Sequence, residues 1–159
     1  MTKLSFLPSL QKTRHPAAGG NNTYRLTVRR NYQNLRQIQA MLKYHNVKSG
    51  TVAELLPDSV NITNVDDILQ LMVDAGYSKS AYGMIIHAKS LPAEFFELKS
   101  GVAGEILQKF SNYRMKLAIV GHFSEIKSKS LRDFIRESNN RKIISFVSTL
   151  NEALSILDK

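Results

Sequence analysis

Residues 84–123 read MIIHAKSLPAEFFELKSGVAGEILQKFSNYRMKLAIVGHF. Met84, Ile85 and Ile86 are apolar without alternation, which is the pattern of a strand covered on both faces, and Lys116 to Gly121 repeats it. Between them lie a loop and a helix opened at Ser100-Gly101, with a buried stripe of Val102, Ala103, Ile106, Leu107 and Phe110. Strand, crossover helix and strand make a βαβ unit, and two strands joined in this way run parallel. Gly104 inside the helix costs about 1 kcal/mol relative to alanine. The expectation is therefore that it lets the helix backbone approach the sheet closely.

Working outward, Leu42 to Val47 and Thr51 to Leu56 are short strand-like runs separated by Lys48-Ser49-Gly50, a hairpin turn. Pro57-Asp58 makes a second turn, and Val60-Asn61-Ile62 is a brief third strand or an extended lead-in. Asn64 with Asp67 opens a helix bearing Val65, Ile68, Leu69, Met72 and Val73, which Gly76 is expected to end. On the C-terminal side, Ser130 with Asp133 suggests a capping box for a helix from Leu131 to Ser138. Ile143 to Val147 is a last strand, and Thr149 with Glu152 caps a final helix carrying Leu150, Ala153, Leu154 and Leu157. The fold expected is α/β: a mixed, mainly parallel sheet of four to five strands, flanked by helices, with the N-terminal strands forming a hairpin.

At 159 residues and 43% hydrophobic content the chain can bury one core, so a single domain is expected. The absence of cysteine excludes disulfides, thiolate metal sites and cysteine nucleophiles, and fits a reducing cytoplasm. No apolar run reaches the length of a membrane span, so no membrane partner is expected. The net charge of +9 is unevenly placed: nine basic residues precede the first acidic one, Glu54, and the remaining 13 meet 13 acids. Residues 1–40, with the breaker cluster His15 to Asn22, read as a basic, mobile extension, and the domain as residues 41–159. The extension is a transit peptide, a phosphate-contacting arm, or the product of a start placed upstream of Met41. Nucleic-acid contact is less favoured than a disordered extension or a misplaced start, because the aromatic interleaving expected of a single-strand binder is absent.

In a parallel sheet the C-terminal strand ends converge on one edge, which brings His87, Ser100, Gly121, His122 and Ser148 toward a shared crevice. Glu94, Glu97 and Lys99 lie in the loop that would roof it, and Gly101 follows the serine. A histidine, a hydroxyl and carboxylates on one rim are the groups of acid-base or nucleophilic chemistry. Each has a plainer reading. His87 at a strand end serves as a hydrogen-bonded structural residue, Ser100 as a helix N-cap, Phe95 and Phe96 as core plugs, and Glu94 and Glu97 as solvated or dipole-facing acids. Arg132 and Arg136 belong to an exposed helix face. No phosphate loop, nucleophile elbow, HExxH or dinucleotide fingerprint occurs, and no cofactor or metal is expected.

HAKSLPAEFFELKSGVAGEILQKFSNYRMKLAIVGHF, SKSLRDFIRESN and ISFVSTLNEAL together resemble the bacterial domain-of-unknown-function family DUF4180, over roughly Met41 to Lys159. The resemblance implies a fold and no activity. Where the family usually carries an acid after the strand glycine this chain has His122, and Ser100 stands where threonine is usual, keeping a hydroxyl. The succession of elements is also similar to STAS domains of anti-sigma-factor antagonists, in which a serine at the corresponding turn is a phosphorylation switch. That likeness implies a regulatory role for Ser100-Gly101 and a protein partner. The preferred expectation is thus a non-enzymatic regulatory or interaction module. The alternative is a small enzyme using His87, Glu97, Ser100 and His122.

Overall fold

A computed structural model of the chain describes residues 41–59, 62–142 and 144–159. The expected N-terminal extension, and Val60 and Asn61 of the expected third strand, lie outside the described residues. Strands β1 (Leu42–Val47) and β2 (Gly50–Leu55) form a hairpin, followed by helix α1 (Val65–Lys79) and strand β3 (Gly83–His87). The next crossover contains a 3-10 turn (Ala88–Ser90), the short helix α2 (Ala93–Phe96), a second 3-10 turn (Leu98–Ser100) and helix α3 (Val102–Asn112). Strand β4 (Lys116–Val120), helix α4 (Lys129–Arg141), strand β5 (Ile144–Val147) and helix α5 (Leu150–Leu157) complete the order.

The five strands lie side by side in chain order, β1 antiparallel to β2 and all others parallel. Successive crossovers of one hand, each adding its strand on the same side, stack their helices on one face of the sheet. That face holds the main core: Ala53, Leu55, Met84, Ile86, Leu117, Ile119 and Phe146 meet Ile68 and Met72 of α1 and Ile106 and Phe110 of α3. Phe134 and Ile135 of α4 pack against the same cluster. Alternate residues Val52, Ile85, Ala118, Val120 and Val147 point to the other face, where they meet Ala153 and Leu157 of α5. The last turn of α5 reaches the hairpin tip. Ser49 donates its N–H to the Asp158 carboxylate and its hydroxyl to the Asp158 carbonyl, both at 2.9 Å, and Tyr82 donates to the Leu157 carbonyl at 2.7 Å.

Local chemistry accounts for the element ends, several of which differ from expectation. Asn64 and Asp67 do form a capping box, but α1 continues past Gly76 to Lys79 and stops at Ser80, which takes the left-handed conformation itself (φ 52°). Helix α4 begins earlier than expected because Ser128, not Ser130, accepts the Leu131 N–H. Gly50 starts β2 opposite Val47, leaving a turn of Lys48-Ser49. Gly104 is exposed, and a methyl added there would meet nothing within 4 Å, so no close approach to the sheet explains it. Gly104→Ala is accordingly expected to stabilise the domain by about 0.5–1 kcal/mol in urea titration. A loss of stability would show that the glycine backbone has a role the helix geometry does not reveal.

The edge strand β5 is covered locally. Asn139 of α4 donates to the Phe146 carbonyl at 3.2 Å and accepts its N–H at 2.6 Å, so a side-chain amide stands where another strand would pair. Phe146 is also the hub of an aromatic group, with Phe123 edge-on at 5.3 Å, Phe134 at 5.9 Å and Phe95 at 6.4 Å. These rings join β5, α4 and the loops after β3 and β4, and thereby back the sheet edge where the candidate site lies.

Candidate functional site

His87 ends β3, and the strand pleat sends its imidazole to the α5 face, together with Gly83 and Ile85. Glu54 on β2 points the same way, two residues beyond Val52, and His45 on β1 stands opposite Val52. Helix α5 packs on β4 and β5 and ends over Gly83, so these three side chains occupy the strip it leaves beside β1. Glu54 accepts from His45 Nε2 through Oε2 at 2.7 Å and from His87 Nε2 through Oε1 at 2.8 Å. The carboxylate side chain is 5% exposed, and the two imidazoles 16% and 18%. Burial pushes the Glu54 carboxyl up, but hydrogen bonds from His87 and His45, with the positive charge of either imidazole when it is protonated, outweigh it and hold the group below its ordinary value of 4.5.

An ionised carboxylate only accepts, so both Nε2 atoms carry hydrogen and each ring turns its Nδ1 away from Glu54. The result is a three-strand clamp with two oriented bases. The imidazoles approach different oxygens of the carboxylate, and no group of His, Asp and Glu among the described residues could hold a metal ion.

The loop that follows His87 crosses to the other face. Leu91 and Phe95 plug the main core, with Phe96 partly buried against Phe95, ring centroids 5.1 Å apart. Glu94, Glu97, Lys99 and Ser100 are exposed. Ser100 is not the N-cap of α3; Gly101 is, with φ 80°, a conformation that explains the glycine. The serine hydroxyl instead donates to the Glu94 carbonyl at 2.6 Å and accepts the Val102 N–H at 3.2 Å. One exposed side chain therefore ties α2 to the first turn of α3.

The remaining rim residues are spread along the sheet edge. Gly121 donates its N–H to the Val147 carbonyl at 2.9 Å, His122 is exposed in the following loop, and exposed Ser148 donates its N–H to Glu152 at 2.9 Å. Ser100 thus shares a contact with Glu94, while His87 is engaged on the opposite face by Glu54. Arg136 pairs with Asp133 at 2.9 Å, and Arg132 donates to the carbonyls of Ile126 and Lys127 at 2.8 Å, so both arginines have partners within or just before their helix.

His45 and Glu54 are the residues that reading the sequence missed. Two signals were available: Val52 and Glu54 share a face by alternation, and a turn of Lys48-Ser49 puts His45 diagonally across from Glu54.

These features define an α/β domain with a mixed sheet, a histidine-carboxylate clamp on one face and an exposed serine latch opening a crossover helix. The chain belongs to the family described as a domain of unknown function, DUF4180, which it matches over residues 47–157. No curated protein and no solved structure matches it. Among the described residues, no helix is long and apolar enough to cross a membrane.

Proposed function

We propose that this domain is a non-enzymatic regulatory or protein-interaction module whose switch is the opening of α3 at Ser100. The observation that carries the reading is the double hydrogen bond of an exposed hydroxyl to Glu94 and Val102. Esterifying that oxygen removes its hydrogen, so the bond to the Glu94 carbonyl is lost. A phosphoryl group would also bring about two negative charges to the positive end of the α3 dipole, next to Lys99. The core beneath needs no rearrangement, since the buried residues of α3, Ala103, Ile106 and Phe110, lie beyond the latch. A local change of surface is the expected output.

The test compares the full chain with Ser100→Ala and Ser100→Asp in affinity capture from native cell extract. Both variants should fold, Ser100→Ala losing about 1 kcal/mol. A partner retained by the unmodified chain should fall away with Ser100→Asp. Equal retention by all three proteins would count against the switch.

A second reading, a small acid-base enzyme, is favoured by one observation: Glu54 orients both imidazoles and leaves two Nδ1 atoms as bases. It draws on His87 with His45, and not on Ser100 or His122. Turnover in an ester and phosphate-ester substrate screen, lost in His87→Gln, would support it; no turnover would leave the regulatory reading.

A further inference from the structure

Among the described residues, two large apolar side chains are strongly exposed, Tyr77 at 89% and Tyr113 at 57%. Both line one groove of about 280 Å³. Tyr77 comes from the last turn of α1 and Tyr113 directly follows α3, so the pairing is made by the fold. The floor is core: Met72, Ala81 and Met115 are 2%, 6% and 7% exposed. Gly76 borders the floor, where an added methyl would make an ordinary contact of 3.9 Å with the Met115 methyl. Exposed aromatics over a methionine-bearing apolar floor are the composition of interaction hot spots.

Basic residues flank the groove along the chain: Lys79 and Lys109 lie in the last turns of α1 and α3, and Arg114 separates Tyr113 from Met115, whereas Asp74, next to the lining residue Val73, is 6% exposed. Residues 1–40 contain no Asp or Glu, so the chain's own N-terminal segment does not complement this surface, and two copies meeting groove to groove would set like charges against each other. We infer that the groove docks an acidic segment of another protein, with one apolar side chain of that segment inserted between Tyr77 and Tyr113. The site lies at the far end of α3 from Ser100, roughly 16 Å along the helix axis. It stands whether or not Ser100 is a switch.

Fluorescence anisotropy of the full chain tests the inference with a labelled probe of glutamates flanking a single phenylalanine. Controls are the same peptide with serine for phenylalanine, and with lysines for glutamates. Saturable binding by the first probe, weakened at least fivefold in either control and at least fivefold by Tyr77→Ser or Arg114→Glu, supports it. Tyr77 is almost fully exposed, so the variant should keep the parent's melting curve. Absence of binding, or binding indifferent to the phenylalanine or to Tyr77, would overturn the inference. So would self-association in sedimentation velocity that Tyr77→Ser abolishes, because it would assign the groove to a second copy.

Discussion

Glu54→Ala is expected to cost about 2–4 kcal/mol of unfolding free energy in urea titration, because it removes the shared acceptor of two charge-assisted hydrogen bonds and leaves a void on the sheet face. The carboxylate links three neighbouring strands through His45 and His87, so the loss should also appear as faster amide exchange in β1. The dependence on pH has a definite sign. The folded carboxyl ionises below its ordinary value of 4.5, so above that value the native state keeps the full benefit of the charged form. As pH falls the unfolded chain takes up the proton first, and the benefit is lost through the folded value. The stability gap between the parent and Glu54→Gln should therefore be level at neutral pH and narrow below 4.5. A gap that widened on acidification would mean that Glu54 is not the anionic centre of the clamp.

Gly121→Ala should destabilise by about 1–3 kcal/mol through overpacking. An added methyl would stand 2.7 Å from the Ala88 methyl, closer than real Cβ atoms come, and a tight 3.0 Å from Phe123 Cζ. Ala88 belongs to a 3-10 turn fixed by the Leu91 N–H bond to its carbonyl, so it cannot step aside freely. Ala88→Gly on the Gly121→Ala background should recover part of the loss, a coupling that measures the contact directly. If the two substitutions simply add, the close approach of the two loops is not what the glycine serves.

The sheet was legible because its central strands are apolar on both faces: Gly83 to His87 was bounded as found, and Lys116 to Gly121 differs only by its last residue. Asn64 with Asp67, and Thr149 with Glu152, marked helix starts because short polar side chains there accept the first free N–H groups. Helix ends were less legible. Gly76 offered the usual stop, yet Ser80 accepts the left-handed conformation, and the core contacts of Leu71, Met72 and Ala75 carry α1 past the glycine. Ser130 with Asp133 imitated a capping box inside α4, whose N-cap, Ser128, stands two residues earlier.

The candidate site was legible only in part and not as an assembly. His87 and Ser100 stood out in the sequence, but the pleat of β3 turns the imidazole one way while the crossover carries the serine to the other side. Glu54 escaped notice because a lone carboxylate in a strand reads as solvent-facing until register sets it between two histidines. That register depends on one residue in the hairpin turn.

Amide hydrogen exchange of the full chain, compared with Ser100→Ala and Ser100→Asp, tests the proposed switch most directly. With the latch broken, amides from Glu97 to Glu105 should exchange roughly tenfold faster, as expected for the loss of about 1.4 kcal/mol of local stability. Those of β3 and β4 should keep their parent rates. Unchanged exchange at the α3 opening, or acceleration spread evenly over the whole sheet, would contradict a local switch at Ser100.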